Sequence, residues 1–244
     1  MRVGVYGLGR FGSFWAKVLS DHRLEVYGYS RHPKAAIEGV TMTDEDTVLS
    51  CDVLFLCVAI SSFSEVVERI KEKIKPGTLV MDTCSVKLYP ADIMQKKLAG
   101  KCSIIATHPM FGPDSAKNGV KGLPLIFCPL SAPVVQVQAW SKRFKSWGIN
   151  VIRMTCDEHD RQAAWSQGIT HLIGRVMQGM DLNDTPIATT GYKALRKVEE
   201  QTCHDPMQLF YDLQRYNPYT KEMRSAFRSS LNTVLDNLKA QEEA

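Results

Sequence analysis

Residues 2–12 read RVGVYGLGRFG and are the strongest indication of the fold of the N-terminal part of the chain. The apolar run is typical of a buried β-strand, and Gly7, Gly9 and Gly12 form a G-x-G-x-x-G pattern directly after it. In a strand–turn–helix unit the first glycine permits a tight turn, the second lets the backbone approach a pyrophosphate, and the third lets the helix pack on the strand. The pattern therefore predicts a dinucleotide site at a helix N-terminus, with a glycine-rich turn without a ligand as the alternative.

Strand and helix signals alternate from this unit to residue 154. Short apolar runs are separated by amphipathic stretches, and this order is typical of a parallel sheet covered by helices on both faces. Strands are predicted at 2–7, 24–30, 52–60, 78–82, 103–108, 123–128 and 150–154, and helices at 11–20, 62–74, 87–98 and 132–146.

The pattern changes after residue 154, because no strand is predicted from Thr155 onward. Glycine and proline residues separate several helical segments in this part of the chain. We therefore predict an α/β protein with an N-terminal Rossmann-type parallel sheet domain at 1–153 and a C-terminal all-helical domain at 154–244. Within the second domain, helices are predicted at 155–180, 188–201, 206–215 and 219–241.

Composition excludes several classes of protein. The 244 residues are 44% hydrophobic and 23% charged, as in globular proteins, and the net charge of +4 is too small and dispersed to predict binding to nucleic acid. No apolar run approaches the roughly 20 residues of a membrane span. The N-terminus does not follow the charged-then-apolar pattern of a signal peptide. We expect a cytoplasmic protein with neither a nucleic-acid nor a membrane partner.

The seven cysteines form no C-x-x-C pair, and several lie in apolar strand candidates. Reduced, mostly buried thiols are therefore predicted, with no disulfide framework and no metal site.

The segment after the second strand, residues 29–34, bears on the choice of cofactor. NAD enzymes usually place Asp or Glu here to accept hydrogen bonds from the ribose hydroxyls, whereas this segment reads YSRHPK. The Ser30 hydroxyl and the Arg31 guanidinium suit a 2′-phosphate, since arginine binds phosphate in a fork. The segment therefore favours NADP, with a solvated basic loop as the alternative, and His32 is expected to stack on adenine or to face solvent. The predicted cofactor site comprises Gly7, Leu8, Gly9, Arg10, Phe11, Gly12, Ser30, Arg31, His32, Cys57, Val58, Thr83 and Cys84.

A histidine stands at the predicted carboxyl end of the strand at 103–108, in the run HPMFGPD. Ligands of open α/β sheets bind outside the carboxyl ends of the strands, so His108 is the candidate acid–base group. The run DTCSVK, residues 82–87, follows another strand and places Ser85 on the same rim. Ser85 is interpreted as a hydrogen-bond partner that orients the imidazole, with a nucleophile or the N-cap of the next helix as alternatives. Lys87 is expected to be an exposed helix lysine, with a phosphate or carboxylate contact as the alternative.

Four motifs in order carry a family resemblance: GLGRFG, DTCSVK, HPMFGPD and EHDRQAAWSQGITH, the last at residues 158–171. Together with GYKALRKVEEQTCHDP at 191–206, they resemble the prephenate/arogenate dehydrogenases of tyrosine biosynthesis. HPMFGP and the SR after the second strand resemble most the plant and cyanobacterial branch.

The resemblance implies an NADP-dependent oxidative decarboxylation. The substrate would be a cyclohexadienol whose ring hydroxyl loses a proton to His108 while C4 passes hydride to the nicotinamide, and loss of CO2 would make the ring aromatic. Ser85 would hydrogen-bond the same hydroxyl or the histidine. The expected reaction is prephenate to 4-hydroxyphenylpyruvate. Alternatives are arogenate to tyrosine, a dual-specificity enzyme, or, more remotely, a β-hydroxyacid dehydrogenase or imine reductase on the same plan; a cofactor-sensing regulatory protein is the non-enzymatic alternative.

The resemblance also implies where the substrate binds and that the helical domain forms a homodimer. Asn118 is expected to favour prephenate, because a neutral amide does not attract the ammonium of arogenate as an acid would; a turn residue is the alternative. His171 would contact substrate or be a helix histidine at the domain interface. The carboxylate anchor would be Arg196 or Lys197. The predicted substrate site comprises Asn118, His159, Gln167, His171, Arg196 and Lys197.

Overall fold

The protein is described here by a computed structural model of residues 1–243, and these residues form two compact units that divide between His159 and Asp160. The N-terminal unit contains the sheet, and the C-terminal unit is helical. The α/β class with a Rossmann-type sheet followed by a helical region is confirmed.

The sheet of the N-terminal unit has eight strands in the order β3-β2-β1-β4-β5-β6-β7-β8. All seven predicted strands are present, and the prediction missed only the short β3. Neighbouring strands are parallel except for the antiparallel pair β6–β7. The strands are β1 (Arg2–Tyr6), β2 (Glu25–Tyr29), β3 (Val40–Met42), β4 (Val53–Leu56), β5 (Leu79–Asp82), β6 (Ser103–Pro109), β7 (Pro124–Pro129) and β8 (Asn150–Arg153).

The predicted parallel sheet has one antiparallel pair, β6–β7. Two parallel neighbours need a crossover connection, which is usually a helix. The chain between β6 and β7 forms turns at residues 113–118 and no helix, so it returns antiparallel to β6. His108 is therefore paired with Ile126 of an antiparallel neighbour.

Helices cover the sheet. Each buries one apolar face, which is why the amphipathic stretches of the sequence predicted them. In α1 the buried residues Trp15, Ala16, Val18 and Leu19 recur at helical spacing, and the Trp15 ring lies 5.7 Å from that of Phe55 on β4. This aromatic packing fixes the helix that follows the glycine turn. The helices of this region are α1 (Arg10–Asp21), α2 (Glu45–Leu49), α3 (Phe63–Ile70), α4 (Leu88–Leu98) and α5 (Val134–Ser146); only the five-residue α2 was not predicted.

A helical run follows β8. It begins with a capping box, in which Glu158 Oε2 accepts a hydrogen bond from the Thr155 backbone N–H at 2.7 Å and Thr155 Oγ1 accepts one from the Glu158 N–H at 3.1 Å. The single helix predicted at 155–180 is instead interrupted by a π-helical turn, Ala164–Gly168. The helices are α6 (Cys156–Ala163), α7 (Ile169–Gly179), α8 (Thr190–Cys203), α9 (Met207–Tyr216) and α10 (Thr220–Glu242).

Within the C-terminal unit, α7 packs closely on α8. A Cβ on Gly174 would lie 1.9 Å from Thr202 Oγ1, so only a glycine fits at this crossing. None of the helices formed by residues 1–243 has the length and apolar character needed to cross a bilayer.

Candidate cofactor and active site

The glycine turn after β1 has the shape that its pattern predicts. Gly7 has φ +101°, and a Cβ there would lie 2.5 Å from the Cys57 carbonyl oxygen. A Cβ on Gly12 would lie 1.8 Å from the Gly7 carbonyl oxygen, whereas a Cβ on Gly9 would meet no atom within 4 Å. Gly9 is also the N-cap of α1, with no side-chain cap and no acidic residue in the first turn. The open space at Gly9 and the helix N-terminus fit a pyrophosphate.

The other residues predicted to bind the cofactor lie close to this turn in the fold. Cys57 and Val58 follow β4, and Thr83 and Cys84 follow β5, at the same edge of the parallel sheet as the glycine turn. Burial raises the pKa of Cys57 to about 12 and that of Cys84 well above its ordinary value, so both thiols are neutral at pH 7. Leu8 is buried in the hydrophobic core, which leaves its backbone as the part that could face a cofactor.

The segment after β2 leaves its basic side chains in solvent. Arg31 and His32 are exposed and Ser30 is half-buried. The Arg31 guanidinium has no ion pair with any residue in 1–243. An unengaged guanidinium beside a serine fits a phosphate group.

Arg10, the fourth residue of the glycine motif, forms an ion pair with Asp114 of the HPMFGPD run. Both side chains are exposed, so the pair contributes little to stability, about 1 kcal/mol or less. It does bring the glycine turn and the loop after β6 together. No role was predicted for Asp114.

His108 is the penultimate residue of β6 and is 3% exposed. Its Nδ1 lies 2.9 Å from Nε2 of His159 on α6, which is 2% exposed. The rings are steeply inclined, at 71°, with centroids 5.1 Å apart, so the contact is an edge-on hydrogen bond. Nδ1 of His108 is therefore engaged with His159.

Ser85 makes neither the predicted hydrogen bond to His108 nor the N-cap that was one of its alternatives. Its Oγ is buried and has no hydrogen-bond partner within residues 1–243, so it neither binds His108 nor caps a helix. The following helix, α4, begins at Leu88, and the N-cap position is Lys87. A buried hydroxyl without a partner costs about 1–3 kcal/mol, which a ligand hydroxyl at this position would recover.

The prediction that Lys87 is exposed is wrong, because this side chain is fully buried. Its Nζ donates to Asp82 Oδ2 and, at 2.5 Å, to the Thr107 carbonyl oxygen. Asp82 also accepts hydrogen bonds from the backbone N–H groups of Cys84, at 3.0 Å, and Thr107, at 3.1 Å. Burial opposes the charge on Lys87, but Asp82 outweighs it and raises the pKa of the lysine. This ion pair ties the end of β5 to β6 one residue before His108.

In the helical unit, three predicted residues have a buried polar atom without a hydrogen-bond partner among residues 1–243. They are Gln167 Oε1, in the π-helical turn, His171 Nδ1, on α7, and Arg196 Nε, on α8. Burial lowers the pKa of His171, so its ring is neutral at pH 7. All three atoms have unused hydrogen-bonding capacity. π-Helical turns occur often at functional sites.

Arg196 and the remaining substrate candidates are less enclosed. Arg196 forms an ion pair with Glu199 of the same helix, whereas Lys197 is exposed and has no ion pair in the part of the chain that the structure describes. Asn118 is exposed in a turn that precedes Gly119, whose φ is +97°. The turn geometry predicted for the Asn-Gly pair is therefore present.

Two family models match the chain. The model of the prephenate dehydrogenase nucleotide-binding domain covers residues 16–153, and that of the TYRAAT1-like C-terminal domain covers residues 176–244. The chain belongs to the prephenate/arogenate dehydrogenase family. This assignment sets aside the β-hydroxyacid dehydrogenase and imine reductase alternatives.

Relatives within this family include two chloroplastic enzymes of Arabidopsis thaliana. The chain is 34% identical to arogenate dehydrogenase 1 and 32% identical to arogenate dehydrogenase 2, over 96% of its own length in each case. It spans 38% of the length of the first and 69% of the second. The plant-like branch of the prephenate/arogenate dehydrogenases is thereby confirmed.

The fold of the family is also found in a solved prephenate dehydrogenase from A. aeolicus, crystallised with hydroxyphenyl propionate and NAD+. That structure matches 100% of this chain and 92% of its own, with a TM-score of 0.78 and 18% sequence identity.

Within the N-terminal unit, the prephenate/arogenate dehydrogenase fold brings the predicted cofactor and catalytic residues to one edge of the sheet. The glycine turn, the ends of β4 and β5, and His108 all stand at carboxyl ends of parallel strands. Sequence reasoning missed the Asp82–Lys87 ion pair and the His108–His159 hydrogen bond. The positions of Asp82 and Lys87 within one six-residue motif were the available signal for the former.

Proposed function

We propose that the chain is an NADP-dependent dehydrogenase that converts prephenate to 4-hydroxyphenylpyruvate by oxidative decarboxylation. The observation that carries the proposal is His108, buried at the carboxyl end of β6 on the same sheet edge as the open glycine turn. The buried Ser85 Oγ follows the neighbouring strand and supports it.

His108 and Ser85 have different roles in the proposed oxidative decarboxylation. His108 Nε2 accepts the proton of the ring hydroxyl, a task suited to a group with a reference pKa of about 6.5. Ser85 Oγ hydrogen-bonds the same oxygen and holds it against the imidazole. The nicotinamide cofactor, when bound, would supply the acceptor for the hydride of C4. The ring carboxylate then leaves as CO2, its bonding electrons complete the aromatic ring, and the ring oxygen regains a proton from His108.

The preference for NADP is supported by the segment after β2. It contains no carboxylate to accept hydrogen bonds from the ribose hydroxyls, and Ser30 and the exposed Arg31 suit a 2′-phosphate. His32, exposed beside them, is proposed to stack on the adenine. The prephenate dehydrogenase structure from A. aeolicus contains NAD+. The preference of this chain for NADP over NAD is therefore measured directly in the test below.

Arogenate is the second candidate substrate, and it has its own support. The two Arabidopsis relatives are named arogenate dehydrogenases. Asn118 supports prephenate, because this exposed amide carries no charge to attract the ammonium that distinguishes arogenate. We propose Gln167 and His171 as further substrate contacts, and Arg196 or Lys197 as the carboxylate anchor.

A homodimer through the helical unit is proposed from the surface of α10. Leu231, Val234, Leu235 and Leu238 are 47–56% exposed and lie at helical spacing i, i+3, i+4 and i+7. A continuous apolar stripe of this kind is typical of a helix that packs on a partner.

We propose the cytoplasm as the compartment of the protein. The Arabidopsis relatives are named as chloroplastic. Localisation of the tagged protein in cells of its source distinguishes the two compartments.

The test is the absorbance of NADPH produced by the purified chain with prephenate and with arogenate, each with NADP and with NAD. We expect turnover of prephenate and a kcat/KM at least about tenfold higher with NADP, equivalent to about 1.4 kcal/mol. His108→Asn removes the base, and kcat should fall about 10²–10⁴-fold while NADPH still binds.

Three outcomes would contradict parts of this proposal. Retained turnover in His108→Asn would remove His108 as the base. Faster turnover with NAD would overturn the cofactor assignment. NADPH binding without turnover of either substrate would favour a cofactor-sensing protein over an enzyme.

A further inference from the structure

We propose that His159 is a positioning residue that selects the base-competent tautomer of His108. The proposal rests on the proposed function, in which His108 Nε2 accepts the substrate proton. His159 was predicted to contact the substrate; here it is assigned a role that acts through His108. Both imidazoles are at least 97% buried, so their mutual hydrogen bond is shielded from water.

The bond between the two rings holds a single proton when both are neutral. His108 Nδ1 and His159 Nε2 lie 2.9 Å apart, so one of them donates and the other accepts. If His159 donates, His108 carries its own proton on Nε2 and cannot accept another from a substrate. If His108 donates, its Nε2 presents a lone pair and is a base. Only the second arrangement supports the proposed reaction.

The backbone around His159 places its ring for this bond. The capping box formed by Thr155 and Glu158 fixes the first turn of α6, and the His159 N–H donates to the Thr155 carbonyl oxygen at 3.1 Å. On the other side, His108 is held in β6 by pairing with Ile126, and the neighbouring Thr107 is bonded to Asp82 and Lys87. Each imidazole is therefore anchored by its own element, which makes the hydrogen bond a preorganised contact.

The same bond stabilises the charge that develops during the reaction. The substrate O–H bond breaks, a bond forms between that proton and His108 Nε2, and the O–H electron pair forms the carbonyl as C4 passes its hydride to the nicotinamide. His108 becomes an imidazolium, whose Nδ1–H is a stronger donor to His159 Nε2 than the neutral ring is. His159 thus favours the protonated product of the transfer as well as the correct starting tautomer.

Two substitutions separate a positioning role from a structural one. His159→Leu removes the acceptor, whereas His159→Gln places an amide oxygen within reach of the same nitrogen. We expect kcat to fall about 10–100-fold in His159→Leu with KM changed less than about threefold, since a base held in the wrong tautomer loses rate and not substrate binding. His159→Gln should recover kcat to within about threefold of the wild type.

A second measurement is independent of turnover. The ring nitrogens of the ¹⁵N-histidine-labelled full chain are observed by long-range ¹H–¹⁵N NMR, and the His108 signals are assigned by their loss in His108→Asn. Wild type and His159→Gln should show His108 protonated on Nδ1 and unprotonated on Nε2 at neutral pH. The wild-type spectrum alone decides this point if His159→Leu does not fold.

The outcomes distinguish this proposal from the proposed function. Turnover by the wild type together with unchanged kcat in a folded His159→Leu would overturn the role of His159 and leave the function standing. A wild-type His108 protonated on Nε2 would also overturn it. If the wild type turned over neither substrate, the function would fail, while the NMR spectrum would still test the tautomer.

Discussion

Lys87 shows how a single side chain can organise the region around the proposed base. An ammonium and a carboxylate with 0% exposure each carry a desolvation penalty of several kcal/mol, which their attraction offsets only when the remaining hydrogen bonds are also made. Here Asp82 accepts from two backbone N–H groups and Lys87 also donates to a carbonyl oxygen. The satisfied cluster fixes the positions of β5 and β6, and with them Ser85 and His108.

The choice of substrate is expected to depend on Asn118. Replacing it with Asp puts a negative charge in the exposed turn. The attraction between this charge and the arogenate ammonium is worth about 1 kcal/mol or more when solvent only partly screens it. The ratio of kcat/KM for arogenate to that for prephenate should therefore rise about tenfold. Steady-state rates with both substrates measure it.

Lys117→Gln is the matched control for this substitution, because it lowers the net charge by the same amount at the neighbouring exposed position. An equal change of the ratio in both variants, or none in Asn118→Asp, would show that Asn118 does not set the preference.

At the scale of elements, glycine has two different roles in the strand–turn–helix unit β1–α1: one allows close packing and the other leaves space for a ligand. Gly12 is required by packing inside the protein, because a Cβ would lie 1.8 Å from the Gly7 carbonyl oxygen. Gly9 has φ −69° and ψ −169°, values open to any residue, and has no neighbour within 4 Å of a Cβ. The open side of Gly9 is therefore available for a ligand.

Substitution of each glycine by alanine should give opposite results. Gly9→Ala should keep or raise the stability, by up to about 1 kcal/mol, and lower the affinity for NADPH at least about tenfold, because the methyl group occupies the space proposed for the pyrophosphate. Gly12→Ala should destabilise the fold by about 1–3 kcal/mol or more. Thermal unfolding and fluorescence titration with NADPH measure the two effects, and tight NADPH binding by Gly9→Ala would contradict the proposed cradle.

At the scale of the whole molecule, the exposed stripe on α10 predicts association. Leu231→Glu combined with Leu235→Glu places two charges in the stripe, and the double variant should sediment as a monomer under conditions where the wild type is a dimer. Burial of these charges at an apolar interface is too costly to be tolerated. Sedimentation velocity measures the mass of each species.

The control places the same charges on the opposite face of α10. Ser229→Glu with Thr233→Glu keeps the spacing of four residues on the exposed helix and should leave the dimer intact. Dissociation of both variants, or a monomeric wild type, would contradict an interface through the apolar stripe.

Local sequence patterns were sufficient for much of the fold. Seven strands, the glycine turn and most helix positions follow from hydrophobic periodicity and from the conformations that glycine permits. His108 at a strand end follows from the same patterns, since a residue's place in a strand depends on its neighbours in sequence. The short α2 and β3 lacked enough residues to show a period.

Other features depended on residues far apart in the sequence. The direction of β7 depended on the lack of a helix between it and β6, and the π-helical turn interrupts a segment whose pattern is continuous. The burial of Lys87 required the Thr107 carbonyl oxygen, 20 residues away, and the bond to His108 required His159, 51 residues away. Charged and polar groups can be buried only where the folded chain supplies a partner, so these contacts around the proposed base depend on the tertiary structure alone.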